Sequence, residues 1–193
     1  ASTSPDAIEA LRGTFHDQLA PLASKYHLPV LDGGTTSGVV GMMGASRAEE
    51  HGTFPLIGVV PADTALYPNG PTNGVREPLD PAHTHFALVT GGGWGIESNL
   101  LVNLGRAMAF RRVALLINGG EIARHEALLH ARAGNQLLVL AGSGRVADEI
   151  VDALKRGSSD DILKETVAIG RIQTCTRETL TEHLIQMLHL GAA

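Results

Sequence analysis

Apolar and polar positions along the chain follow two periods. Near the start, Ile8, Leu11, Phe15, Leu19 and Leu22 recur near helical spacing. That predicts an amphipathic helix over residues 7–26, with Ser4 or Asp6 able to cap it. Further on, four short apolar runs lack alternation, and each ends in a glycine cluster. Residues 28–31 lead into Asp32-Gly33-Gly34, and 86–89 into Thr90-Gly91-Gly92-Gly93. Residues 113–117 lead into Asn118-Gly119-Gly120, and 137–140 into Ala141-Gly142-Ser143-Gly144. A fifth run, 56–60, stops at Pro61. Unalternated runs predict strands buried on both faces, as in a parallel sheet flanked by helices.

Helical patterns over 39–50, 99–110, 124–133 and 146–155 follow most of these strands, and a last pair near 167–175 and 178–190 closes the chain. The alternation predicts an α/β fold, Rossmann-like and doubly wound, with a mainly parallel sheet flanked by helices. Ligands of such sheets sit beyond the carboxyl ends of the strands, and the glycine turns at Gly33, Gly119 and Gly142 are expected to converge there on one sheet. A doubly wound domain normally opens on a strand, whereas this chain opens on a helix, so a first strand is expected upstream of Ala1. The proline-rich stretch 61–81, running on to His85, predicts a long irregular loop of the kind that serves as a lid or binding loop.

Composition narrows the function. A chain of 193 residues suits a single domain over 1–193, and 44% hydrophobic with 18% charged residues is globular, not disordered. The 23 glycines, without a collagen period, point to turns where backbone approaches something closely. A net charge of −5 argues against nucleic acid and anionic membrane as partners. The single cysteine, Cys175, excludes an internal disulfide, and its expected place is a buried strand. No apolar run nears the roughly 18 residues of a membrane span, and no leader precedes the first helix, so the expected location is cytoplasmic.

Three turns and one histidine pair carry the candidate chemistry. Gly142-Ser143-Gly144-Arg145-Val146-Ala147 has the form Gly-x-Gly-x-x-Ala between a strand and a helix, where amides can approach a pyrophosphate and Arg145 can clamp it. The acid that a redox fingerprint needs about 20 residues on is answered only by Asp160 and Asp161, in a polar loop. A tight structural turn is the competing reading. Gly33-Gly34-Thr35-Thr36-Ser37-Gly38 offers amides and three hydroxyls to phosphate or ribose, or simply caps a helix; it lacks a Walker lysine. Asn118-Gly119-Gly120-Glu121 leads into the helix expected over 124–133, and Glu126 lies one turn into it. Both acids suit the helix dipole, and Glu126 equally suits ribose hydroxyls or a developing sugar cation. His83 and His85 would share a face if extended, but no third ligand stands near enough to suggest zinc, so no metal is expected.

Four stretches together resemble the SLOG domains of TRPM cation channels, in a soluble prokaryotic version. They are Asp32-Gly33-Gly34-Thr35-Thr36-Ser37-Gly38-Val39-Val40, Asp80-Pro81-Ala82-His83-Thr84-His85-Phe86, Ile117-Asn118-Gly119-Gly120-Glu121 and Ala141-Gly142-Ser143-Gly144-Arg145-Val146-Ala147-Asp148. The resemblance covers residues 4–154 and implies a Rossmann-like fold that binds an NAD-derived nucleotide such as ADP-ribose, with no cofactor required. It also implies a distant tie to the LOG phosphoribohydrolases, which cleave the base from cytokinin nucleotides. In their Pro-Gly-Gly-x-Gly-Thr-x-x-Glu motif, Gly119, Gly120 and Glu126 keep their places here while Ile122 and Ala123 replace the Gly-Thr. Arg106 is a vague counterpart of the catalytic arginine. Two functions are therefore expected: nucleotide sensing, or N-glycosidic cleavage of a nucleotide with Glu126 and Arg106 as catalytic residues. A homo-oligomer or an attached effector domain is compatible with either.

Overall fold

A computed structural model describes residues 5–70, 74, 76–109 and 111–191. The opening amphipathic pattern forms α1 (Pro5–Thr14), a π-helical turn (Phe15–Leu19) and α2 (Ala20–Tyr26). Pro21 supplies a reason for the wide turn: it has no N–H for the carbonyl four residues back, and its ring crowds that carbonyl. Leu11, Phe15, Leu19 and Leu22 are buried as the spacing predicts. Ser4 and the side chain of Asp6, the expected caps, lie outside the described residues.

The chain divides into two compact units, one over Glu9–Leu101 and one from Val102 onward with the start of α1. In the first, β1 (Val30–Asp32), α3 (Gly38–Glu49), β2 (Leu56–Pro61) and β5 (His85–Val89) build a parallel three-stranded sheet of order β1-β2-β5. Its core gathers Phe54, Leu56, Val59 and Val60, none of them exposed. The stretch expected to be irregular is partly ordered. It holds the short parallel pair β3 (Ala65–Leu66) and β4 (Glu77–Pro78), and Leu79 bridges back to Thr35. Residues 71–73 and 75 of that stretch lie outside the described set.

α4 (Ser98–Met108) crosses the division, and Phe110 at its expected end is outside the described residues. The second unit then runs β6 (Val113–Leu116), α5 (Glu121–Arg132), β7 (Gln136–Leu140), α6 (Arg145–Arg156), α7 (Asp161–Ile169), β8 (Arg171–Cys175) and α8 (Leu180–Leu188). Its sheet is parallel, of order β6-β7-β8, with α5, α6 and α7 burying Leu116, Leu137, Val139, Ile150 and Leu163 in one cluster. Of the two acids expected in a loop, only Asp160 lies there, at its end. Asp160 caps α7 by accepting from Leu163 N at 2.9 Å, and Asp161 is its first residue.

Parallel strands alternate with helices, as the apolar runs predict, but two expectations need correction. Among the described residues the strands hydrogen-bond as two parallel ladders of three and the short β3–β4 pair, not as one sheet, and the Gly33 turn belongs to one ladder of three while the Gly119 and Gly142 turns belong to the other. Burial of a run states that it is covered, not which strand lies beside it. The central strands β2 and β7 are buried at all but one residue each, β1 and β6 are mostly half-buried, and β5 and β8, at ladder edges, leave residues exposed. No helix among the described residues is long and apolar enough to cross a membrane.

One half-buried histidine, His130 of α5, links the stability of the second unit to pH. Asn135 Nδ2 donates to His130 Nδ1 at 2.9 Å, and Arg112 Nε donates to Asn135 Oδ1 at 2.8 Å. Burial first, and the Arg112 charge second, push the His130 pKa down to about 4. The unfolded chain therefore takes up a proton near pH 6.5 that the folded chain refuses until about pH 4. Stability present above pH 6.5 should fall by about 2–3 kcal/mol on acidification to pH 4, at about 1.4 kcal/mol per pH unit. Urea unfolding of wild type and His130→Leu across this range checks it: the variant should show a flatter profile, and parallel profiles would refute the assignment.

Candidate functional site

The second unit interlocks its two glycine turns. Ile117 leaves β6 into Asn118 and Gly119, both left-handed at φ 58° and 86°, before α5 begins. A side chain at Gly119 would be strained by that φ, and its Cβ would stand 2.8 Å from Ala123 Cβ. From the neighbouring strand, Ser143 Oγ accepts from Asn118 N at 2.8 Å and donates to Leu140 O at 2.7 Å. Asn118 Nδ2 donates to Ser143 O at 2.7 Å. The first peptide groups of α6 reply: Ala147 N donates to Asn118 O at 2.9 Å and Val146 N to Gly119 O at 3.5 Å. Buried Asn118 and Ser143 thus tie the turns together.

The Gly-x-Gly turn has its amides occupied. Gly142 N and Gly144 N donate to the two oxygens of Asp148, at 2.7 and 3.0 Å, and Ser143 N donates to Leu140 O at 3.4 Å. With Val146 and Ala147 also engaged, both glycine amides of the turn expected to cradle pyrophosphate and three of its other amides already have acceptors in the chain. The sequence carries the sign of this, an aspartate four residues beyond Gly144, and the reading of the motif as an open cradle missed it.

The amino end of α5 is different. Its N-cap, Gly120, has no side chain to cap the first amides, which are orphaned in any helix. Arg145, left-handed at φ 52°, lays its guanidinium across this end: a Cβ on Gly120 would be 2.8 Å from Arg145 Nη2. Such a backbone costs an arginine about 1–2 kcal/mol. Arg145 is exposed and forms no ion pair among the described residues. Glu121 is exposed and turned toward Arg124 and His125, at 3.3 and 3.8 Å. Glu126 is half-buried on the second turn of α5, and Arg106 is exposed in the last turn of α4.

In the first unit, the Gly33 turn is fastened to the segment before β5. Asp32 Oδ1 accepts from Gly34 N at 2.8 Å, Asp80 N donates to Gly34 O at 3.0 Å, and Thr36 N to Pro78 O at 3.3 Å. Gly34, at φ 65°, is a true glycine position, because a Cβ would meet Val60 Cγ2 at 2.6 Å and Gly58 Cα at 2.8 Å. Of the three hydroxyl residues, Thr35 is buried and Ser37 Oγ donates to Glu77 Oε2 at 2.7 Å, while Thr36 and Gly38 remain exposed. Gly33 is half-buried beside Val40.

His83 and His85 do not share a face. His85 is exposed, its Nδ1 bonded to Thr84 Oγ1 at 2.9 Å. The His83 side chain is wholly buried, with Nε2 2.7 Å from Asp32 Oδ1 and Nδ1 3.7 Å from Asp80 Oδ2. Asp80 in turn lies against Gly44, where a Cβ would collide with its carboxylate. His83 therefore bolts the turn from behind. No group of three metal-ligating side chains occurs among the described residues. Cys175 is buried at the end of β8, where burial pushes its pKa up to about 11, so it is a poor nucleophile. Trp94, the one tryptophan of the chain, stands 43% exposed among the glycines after β5, a flat apolar surface the motif reading passed over.

The sequence matches the family described as SLOG in TRPM, prokaryote, over residues 1–187. The chain belongs to this family. No curated protein matches it. Among solved structures, the SLOG domain is similar to the X-ray structure of TM1055, a structural-genomics target, with a TM-score of 0.67 at 20% identity over 95% of this chain and 91% of the other. That likeness shows the fold, a Rossmann-like one, and nothing finer.

Removing the bolt tests the first unit. His83→Ala leaves Asp32 and Asp80 facing each other across a void and should cost this SLOG domain about 2–4 kcal/mol, the scale of breaking a buried ionisable pair. Urea unfolding measures it. A loss below about 1 kcal/mol would remove His83 from the supports of the Gly33 turn.

Proposed function

We propose that this SLOG domain binds a small NAD-derived nucleotide such as ADP-ribose, with a phosphate held by the amino end of α5 and by Arg145. The observation that carries the reading is the exposed guanidinium of Arg145 lying over Gly120, at an end of α5 that no side chain caps. Helix amides and dipole favour an anion there, and a guanidinium can bind two phosphate oxygens at once. Membership of the SLOG family supports a nucleotide-related role. Isothermal calorimetry with ADP-ribose tests it. Arg145→Ala should weaken binding by about 1.5–3 kcal/mol, a charge-assisted hydrogen bond. Unchanged affinity would take Arg145 out of the site.

A hydrolytic reading rests on Glu126. It is half-buried one turn behind the same end of α5, where a carboxylate can stabilise positive charge on a sugar carbon. Arg106 would assist. If the domain cleaves N-glycosidic bonds, Glu126→Gln should lower turnover by about 100-fold or more with little change in binding. If it only senses, the same change weakens binding modestly and the ligand stays intact. Chromatography for released base separates the two: turnover that survives Glu126→Gln would end the catalytic assignment.

A further inference from the structure

We propose that Asp148 closes the Gly142–Gly144 turn to phosphate and so confines anion recognition in this unit to the α5 end and Arg145. The inference concerns how the proposed nucleotide site is limited, and for its ligand class it rests on that reading. A capping carboxylate ordinarily reaches back to one amide, that of the N-cap residue. Asp148 does more. One oxygen takes the N-cap amide, Gly144 N, at 3.0 Å, and the other takes Gly142 N, outside the helix, at 2.7 Å. Both glycines have positive φ, 79° and 92°. Two oxygens of one anion on two alternate amides of a glycine turn is the way such a nest holds an anion. Here the anion is the chain's own.

Three further amides of the turn are taken as well. Ser143 N, Val146 N and Ala147 N donate to Leu140, Gly119 and Asn118 carbonyls. Nor is the turn closed by bulk, since Gly142 is exposed and a Cβ there would meet nothing within 4 Å. What excludes a phosphate is the carboxylate, by occupancy and by like charge. At the α5 end, by contrast, the one acid of the first turn, Glu121, is drawn toward Arg124 and His125. Two glycine-containing strand-to-helix turns thus differ in what they offer an anion because one carries an aspartate within reach of its own amides.

The test uses inorganic pyrophosphate and the ¹⁵N–¹H spectrum of the intact chain. In wild type, saturating pyrophosphate should leave the Gly142 and Gly144 amide signals in place. In Asp148→Ala, where thermal stability should also fall, both signals should move. Asp148→Asn, which keeps the shape and one acceptor oxygen, should give a smaller shift and serves if the alanine variant does not fold. Calorimetry adds the nucleotide side: the affinity ratio of ADP-ribose to AMP should rise about tenfold in Asp148→Ala, because only the diphosphate has a second group to place. Shifts of equal size in wild type and variant, or none in the variant, overturn the closure. So does an equal gain for both nucleotides, which marks a mere loss of negative charge. Pyrophosphate shifts confined to the variant, with ADP-ribose bound by neither protein, uphold the closure and overturn the nucleotide reading.

Discussion

The donors that open α6 are committed to the turn that opens α5. Ala147 N and Val146 N reach across to Asn118 and Gly119 carbonyls, while Asn118 returns two hydrogen bonds to Ser143. Peptide groups at helix starts need partners from outside the helix, and in most helices a local side chain or water supplies them. Here the neighbouring turn does. The arrangement needs parallel strands side by side, because only then do two strand-to-helix turns stand at the same edge with their peptide groups facing. It also needs Asn118 and Gly119 in the left-handed region, which aims their carbonyls at α6 and leaves the amino end of α5 uncapped.

The charge distribution around these turns follows from that frame. Arg145 is the first residue of α6, yet its positive φ sends the guanidinium back over Gly120 instead of along its own helix. Asp148, one turn further, bends back over Gly142 and Gly144. A cation and an anion only three residues apart are thus delivered to different turns. The pairing between them that a helix surface normally offers is forgone. Each side chain instead acts on backbone: one leaves a positive head over an uncapped helix start, the other neutralises a nest.

The other unit relies on buried side chains for the same purpose. Its glycine turn is held by the carboxylates of Asp32 and Asp80 with the His83 ring between them, and the ring also stacks on Phe86 with centroids 5.4 Å apart. Gly34 and Gly58 are small because two backbones meet there, and Gly44 because Asp80 lies against it. Gly34, which reads as a ligand or turn signal in its motif, is at this position also a consequence of close packing.

The strands, their parallel sense and the glycine turns at their ends were legible in the sequence, because a run of apolar residues without alternation has few other stable placements. The helices after them were legible for the same reason, and so was the family, through four ordered motifs. α7 was not, since a start rich in aspartate reads as solvated loop until Leu163 N is seen to bond to Asp160. Nor were the ladder partners of β5 and β6, which depend on neighbours and not on the run itself. At the candidate site, the motifs named three glycine turns but could not rank them. Whether a glycine amide is free for a ligand depends on where every nearby carboxylate and carbonyl comes to rest, and residues such as Asp148, Asn118 and His83 find their partners only when the chain is folded.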